Sequence, residues 1–146
     1  MSVTSLIAGT LMLATSAEAT LISNPDIFCL SHAIYWETHG VEAQGASMVG
    51  EVVLNRVEHE EFPNTVCDVV NQPWQFAASS AMGAPIIEPQ AFDDSVRVAI
   101  DTYLSGDPDN DALFFINSSV GMPNWARNLQ VVGRYGDHVF LTFRDQ

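Results

Sequence analysis

The chain has 146 residues, of which 47% are hydrophobic and 16% charged, and this composition predicts a single domain with a buried core. It contains 18 acidic residues against five arginines and no lysine, which gives a formal net charge of −13 at pH 7. A surface of this charge repels phosphate groups, so the composition argues against nucleic acid and anionic membrane surfaces as partners.

The first twenty residues have the pattern of an export signal. Residues 6–14 form an apolar stretch, and Ala17 and Ala19 give the small-x-small pattern of a cleavage site. The stretch is short for a membrane span, and the basic residue that usually precedes it is absent. We predict that residues 1–19 are a signal peptide and that residues 20–146 form one exported domain; a buried N-terminal helix or an uncleaved anchor is the alternative.

The first helix is predicted over residues 24–40. Asn24 is a favourable N-cap, Pro25 suits the first helical position, and apolar residues follow at helical spacing. Gly40 is placed to end the helix, because glycine accepts the left-handed conformation at a helix C-terminus without strain.

Glu37 falls in the last turn of this helix, behind Tyr35 and Trp36. The partial negative charge at a helix C-terminus and burial beside aromatic rings both disfavour an ionised carboxylate, so both are expected to raise the pKa of Glu37. A carboxyl group that keeps its proton near neutral pH is the general acid that cleavage of a glycosidic bond needs. From the local sequence alone, an exposed glutamate without a role is the alternative.

The chain has two cysteines, Cys29 and Cys67. In an exported protein they can pair and close a loop, which stabilises the fold by about 4 kcal/mol in the chain-entropy model. Both also lie in apolar surroundings that suit buried thiols. The sequence leaves both alternatives open.

Apolar spacing predicts a second helix over about residues 41–58 and a short third helix before Gln72, with Asn64 or Thr65 as its N-cap. The apolar stripe of the second helix contains Ala46, Val49, Val53 and Val57. Residues 73–90 are rich in Pro, Gly, Ser and Ala without a sustained period, which favours a functional loop.

A further helix is predicted over residues 93–104, with its inner face formed by Val96, Ala99, Ile100 and Tyr103. The pattern then changes to strands: ALFFIN indicates one buried strand, and LQVVGRYGDHVFLTF indicates two strands joined around Tyr135 and Gly136. Helices followed by strands, without βαβ alternation, predict the α+β class.

One known family shares the following segments in this order: CLSHAIYWETHG, VVLNRVEHEEFPNTVCDVV, QPWQF, ALFFIN, NWAR and GRYGDHVFL. Over about residues 28–144 the chain resembles the SleB/CwlJ type of cell-wall hydrolase, the family of spore-cortex-lytic enzymes. The resemblance implies a lysozyme-like fold of the lytic-transglycosylase type, in which a mainly helical lobe and a small antiparallel sheet enclose a substrate cleft.

The resemblance also implies action on the glycan strands of peptidoglycan, with Glu37 at the position of the family's catalytic glutamate. No clear second carboxylate is present to act as a nucleophile, and a lytic transglycosylase needs none. Glu42 is the nearest candidate for such a nucleophile, and a favourable charge at the start of the second helix is its simpler interpretation.

The chain departs from the family pattern in three places. His39 and Val41 stand where members often have arginine and glutamate, Ala77 follows the QF pair in place of a polar residue, and Phe114 and Phe115 replace two tyrosines. These differences leave Glu37 in place and weaken the case for partners at positions 39 and 41.

Aromatic rings stack on sugars and amides bind sugar hydroxyls, so residues of these types are expected to line the cleft. We expect substrate contacts from Trp74, Gln75, Phe76, Asn117, Trp125 and His138. The alternative for Phe76 and Trp125 is a place in the core, and for His138 a place as a buried histidine. Polar groups that tie the second helix to the loop are a structural interpretation for Asn55 and Arg56, and we prefer it for Arg56.

No metal site and no cofactor are expected, because the H-E-x-x-H pattern of a zinc peptidase is absent. The expected partner is peptidoglycan, bound by a monomer. We expect the protein to be exported to the periplasm, cell wall or extracellular space, or to be a phage-encoded lysis or virion-associated protein. An N-acetylmuramoyl-L-alanine amidase and a non-catalytic glycan-binding domain are the alternative functions.

Overall fold

The computed structural model places a group of helices before a small antiparallel sheet. The residues that it describes are 23–39, 43–73, 75–81 and 83–145. The predicted signal peptide lies outside the described residues, and so do Gly40, Val41, Glu42 and Trp74.

Helix α1 covers Pro25–Thr38, and its start is as predicted. The Asn24 side chain accepts a hydrogen bond from the Asp26 N–H at 2.8 Å. Pro25 lies in the first turn, where its missing N–H has no intrahelical partner to lose.

Helix α1 ends at Thr38. His39 follows it in the left-handed conformation, with φ of 49°, and its N–H donates to the Tyr35 carbonyl at 2.7 Å. Histidine is among the few non-glycine residues that are enriched in this region of backbone conformation. The turn directly after Glu37 is therefore made by a titratable residue.

Helix α2 covers Ala43–Val57, and helix α3 covers Val66–Val70. The predicted stripe of α2 is confirmed, since Ala46, Val49 and Val53 are buried. Of the two predicted N-cap candidates for α3, Asn64 and Thr65, the cap is Thr65.

A disulfide between Cys29 and Cys67 joins α1 to α3. The two alternatives that the sequence left open are thereby decided in favour of the bond. It closes a loop with a sequence separation of 38 residues that contains Glu37 and all of α2.

The segment predicted as a loop over residues 73–90 contains one helical turn, α4, at Ala78–Ala81. Phe76 and Ala78 are buried in the main core and anchor the segment to the helices. Residues 83–88 run over the surface to the next helix.

Helix α5 covers Pro89–Ser105 and begins earlier than the prediction. Its buried residues are Ser95, Ala99 and Thr102, whereas the predicted inner residues Val96, Ile100 and Tyr103 are half-buried. The prediction followed apolar character, but small side chains face the core because the neighbouring helices pack closely. A Cβ atom at Gly50 of α2 would lie 3.2 Å from Thr102 Cγ2.

Three antiparallel strands follow: β1 at Phe114–Asn117, β2 at Gln130–Tyr135 and β3 at His138–Thr142, in the order β1-β3-β2. Gly136, with φ of 57°, makes the predicted turn between β2 and β3. The α+β prediction, with a mainly helical lobe and a small antiparallel sheet, is confirmed.

Phe140 of β3 belongs to the main core between the helices, and a smaller cluster on the sheet contains Ile116, Ala126, Val139 and Leu141. The sheet is therefore fixed to the helical lobe through β3, its central strand. Within the described ranges, no helix is long and apolar enough to cross a membrane.

Replacing Cys29 and Cys67 together by alanine should lower the free energy of unfolding by about 4 kcal/mol, because the unfolded chain regains the entropy of the open loop. Urea unfolding of the oxidised wild type and the double variant measures the difference. Wild type unfolded with a reductant present is the matched control and should approach the variant. Equal stability of all three samples would contradict the prediction.

Candidate active site

The Glu37 carboxyl group lies half-buried in the last turn of α1, facing the segment that precedes α4. Its Oε1 accepts a hydrogen bond from the Ala77 N–H at 2.6 Å. Burial raises the pKa of Glu37 above the ordinary value of 4.5, while the Ala77 N–H and the nearby His39 act in the opposite direction. The predicted direction is confirmed, and burial is its main cause.

His39 and Glu88 join the end of α1 to the start of α5. His39 Nδ1 lies 3.1 Å from Glu88 Oε1, and both side chains are about half exposed. An ion pair at such exposure contributes little to stability. Its effect is local, since it sets the orientation of the imidazole that follows Glu37.

Arg56 of α2 is only 3% exposed and connects three parts of the chain. Its Nε donates to the Leu113 carbonyl at 2.7 Å, and its Nη1 donates to Gln75 Oε1 at 3.1 Å. The expectation that Arg56 ties the second helix to the loop is confirmed. Asn55 makes a similar tie, since its Nδ2 donates to the carbonyls of Asn110 and Ala112.

A cavity of about 360 Å³ opens beside this arginine. Its lining residues are Arg56, Gln75, Phe114, Phe115 and Trp125. Gln75 precedes Ala77 by two residues, so the short segment 75–77 connects the cavity to the Glu37 carboxylate. Aromatic rings and an amide are side-chain types that suit sugar binding, and a carboxyl group that keeps its proton suits general acid catalysis.

Two of the predicted substrate residues, Gln75 and Trp125, line the cavity. Trp125 is 55% exposed, which decides against a place in the core. The predicted substrate contact of Phe76 is corrected to its alternative, a place in the core, because Phe76 is 3% exposed and belongs to the main core. Its ring packs 5.7 Å from Phe115, measured between centroids, and supports the cavity wall from behind.

Asn117 and His138 are paired across β1 and β3, at the end of the sheet next to Phe115. The His138 ring centroid lies 5.7 Å from that of Phe115. Asn117 Oδ1 accepts hydrogen bonds from the N–H and the hydroxyl of Ser119, so this oxygen caps a turn. Neither residue lines the cavity itself, and Trp74 is outside the described residues.

Sequence reasoning did not assign Arg56, Phe114 or Phe115 to the cavity wall. A signal for Arg56 was present, because position 56 is three residues after Val53 and four after Val52, on the buried stripe of α2. A charged residue on a buried apolar stripe indicates a specific structural role, and the role of Arg56 is to hold segment 75–77 through Gln75.

Comparisons with known proteins agree with this geometry. A family model described as cell wall hydrolase matches residues 40–141. The chain belongs to this family. A stretch of 119 residues is 32% identical to the spore cortex-lytic enzyme of Bacillus subtilis (strain 168), and another of 119 residues is 32% identical to that of Oceanobacillus iheyensis. Each stretch covers 81% of this chain.

The chain spans 38% and 42% of the length of these two relatives. The family model begins at residue 40, three residues after Glu37. The stretch of 119 residues that is similar to the relatives does include Glu37, because in a chain of 146 residues it must begin at residue 28 or earlier.

Two solved structures have the same fold. One is the catalytic domain of the germination-specific lytic transglycosylase SleB from Bacillus anthracis, with a TM-score of 0.70 and 30% identity, covering 82% of this chain and 96% of that one. The other is the catalytic domain of the Bacillus cereus SleB protein, with a TM-score of 0.69, 27% identity and coverages of 80% and 89%. The predicted family resemblance and the predicted fold are both confirmed.

The raised pKa of Glu37 predicts a pH-dependent gain in stability for Glu37→Gln. The folded chain keeps this proton at pH values where the unfolded chain has lost it, so the ionising glutamate lowers stability as pH rises from 4.5 through the folded pKa. Glutamine cannot ionise and can still accept the Ala77 hydrogen bond. Urea unfolding should show the variant more stable than wild type at pH 7 and the two alike below pH 4.5. A variant less stable than wild type at pH 7 would contradict the assignment.

Proposed function

We propose that this chain degrades peptidoglycan as a lytic transglycosylase, cleaving the bond between N-acetylmuramic acid (MurNAc) and N-acetylglucosamine, with Glu37 as general acid and then base. The observation that carries the proposal is the half-buried Glu37 carboxyl, whose pKa is raised by burial and which accepts the Ala77 N–H, two residues along the chain from the cavity-lining Gln75. The cortex-lytic relatives and the SleB catalytic domains support the substrate and the reaction.

In the first step the protonated Glu37 donates its proton to the glycosidic oxygen, and the bond from this oxygen to C1 of MurNAc breaks. The electron pair of that bond goes to the leaving oxygen, and C1 takes on oxocarbenium character. Because burial raises the pKa of Glu37, the carboxyl retains a proton to donate nearer to neutral pH than an exposed glutamate does.

In the second step the 6-hydroxyl of the same MurNAc attacks C1, and Glu37, now ionised, takes the hydroxyl proton. The product is a 1,6-anhydro ring, no water is consumed, and Glu37 returns to its protonated state. The Ala77 N–H stabilises the ionised carboxylate between the two steps. Glu37 serves both steps, so this mechanism fits a site with one catalytic carboxyl group.

We propose that Gln75 and the exposed Trp125 contact the sugars, because both line the cavity. Asn117 and His138 are proposed to contact the strand further along, since they lie at the end of the sheet behind Phe115. Trp74 is proposed to contribute to the same cleft from its place before Gln75.

We further propose that the protein acts as a monomer outside the cytoplasm, in the periplasm, cell wall or extracellular space, or as a phage-encoded lysis protein. Peptidoglycan lies outside the cytoplasmic membrane, and the Cys29–Cys67 disulfide suits an oxidising compartment. The signal-like pattern over residues 1–19 supports the same location.

The amidase alternative is not favoured, because the similar SleB domain is named a lytic transglycosylase. A non-catalytic glycan-binding domain is not favoured either, since both similar solved structures are catalytic domains.

Glu37→Gln should reduce the initial rate of turbidity loss of purified cell walls on the order of 10²- to 10⁴-fold, because it keeps the shape of the side chain but cannot donate a proton. Glu51→Gln is the matched control. Like Glu37, Glu51 is a glutamate whose pKa is raised by burial and whose Oε1 accepts a backbone N–H. Its donor is Asp107, at 2.9 Å, just beyond the end of α5.

The control should keep wild-type activity. Near-normal activity of Glu37→Gln would overturn the proposed acid, and an equal loss in both variants would show that any change of a buried carboxyl disrupts the fold. Circular dichroism melting of each variant accompanies the activity measurement.

A further inference from the structure

Arg56 is a buried cation without a carboxylate partner among the described residues. Its guanidinium carbon lies 4.7 Å from the centroid of the Phe62 ring, 5.2 Å from that of Phe76 and 5.4 Å from that of Phe114. Burial lowers the pKa of Arg56 to about 10, which reflects the cost of taking the charge out of water. An apolar side chain of similar volume would fill this space without that cost.

The guanidinium supplies what an apolar side chain cannot, namely donors in a fixed planar arrangement. Nε is used on the Leu113 carbonyl, in the segment that leads into β1, and Nη1 is used on the Gln75 side chain. One rigid group therefore sets the position of the segment that bears Gln75 relative to the strand that bears Phe114 and Phe115.

Segment 75–77 transmits this position to the acid. Gln75 is held by Arg56, Phe76 is buried against the same guanidinium, and the next N–H, that of Ala77, donates to Glu37 Oε1 at 2.6 Å. Three consecutive residues thus connect Arg56 to the carboxyl group, and the middle one is fixed in the core.

We propose that Arg56 is a positioning residue for Glu37, which acts through segment 75–77 to aim the Ala77 N–H at the carboxylate. Its catalytic consequence rests on the proposed function, but its effect on Glu37 does not. With the hydrogen bond in place, Glu37 is oriented in the first step and stabilised as an anion before the second. Without it, one of the two effects that oppose burial is lost, so the pKa of Glu37 rises further.

Among the described residues, the other groups near Glu37 do not replace this hydrogen bond. His39 follows the end of α1 and contacts Glu88, the N-cap of α5, and the α4 turn Ala78–Ala81 has no titratable side chain. Arg56 and Glu37 are therefore linked through the backbone of segment 75–77.

The test compares Arg56→Gln, Arg56→Lys and Gln75→Ala with Asn55→Ala as the matched control. Asn55 also ties α2 to the chain before β1, through the carbonyls of Asn110 and Ala112, but it has no hydrogen bond to segment 75–77. Gln75→Ala changes an exposed side chain, so it remains folded even if a change at the buried arginine does not.

The first measurement is a ¹³C NMR titration of the Glu37 side chain, assigned with Glu37→Gln. The pKa of Glu37 should rise in Arg56→Gln, Arg56→Lys and Gln75→Ala and stay at the wild-type value in Asn55→Ala. The lysine variant keeps the charge but has no planar arrangement of donors, so it should behave like the glutamine variant. The double variant Arg56→Gln/Gln75→Ala should show no larger shift than the greater single one, because both changes break one path.

The second measurement is the pH profile of kcat/KM on peptidoglycan. Arg56→Lys and Gln75→Ala should lose on the order of ten- to a hundred-fold in rate and move the alkaline limb to higher pH, while Asn55→Ala should keep both. Lower melting temperatures without a change in the Glu37 pKa, or a wild-type titration curve for Arg56→Lys, would overturn the positioning role. A chain without activity on peptidoglycan would refute the proposed function alone, because the titration does not depend on turnover.

Discussion

The hydrogen bond from the Ala77 N–H to Glu37 Oε1, 2.6 Å long, is the contact on which the rest of this site depends. It joins the end of a buried helix to a segment that also forms the wall of a cavity. Burial keeps the Glu37 carboxyl protonated nearer to neutral pH for the first step, and the Ala77 N–H stabilises the ionised form between the two steps. One carboxyl group can then serve both steps of the proposed reaction.

The fold holds both ends of this contact. On one side, α1 is fixed by the disulfide to α3 and by close packing around Gly50, so the last turn that bears Glu37 has little freedom. On the other side, Phe76 and Arg56 fix segment 75–77 to the core and to the strand that carries the aromatic wall. The acid is thus mounted on rigid elements, as precise catalysis requires.

Local rules were sufficient where the signal was local. The N-caps Asn24 and Thr65, the turn at Gly136 and the raised pKa of Glu37 all follow from a residue and its near neighbours. The donor to Glu37 lies 40 residues further along the chain and uses its backbone, so no side-chain pattern marks it. The buried face of α5 was misjudged for a related reason, because close packing against neighbouring helices selects small residues over apolar ones.

If one carboxyl group performs both steps, the mass of the soluble products shows it. Whole peptidoglycan would be digested with the wild-type protein, and the released muropeptides analysed by mass spectrometry. We expect products that end in 1,6-anhydro-MurNAc, lighter by one water molecule than their hydrolysed counterparts. Products with a reducing MurNAc end would contradict it, because they require an attacking water or a second carboxylate that this site does not need.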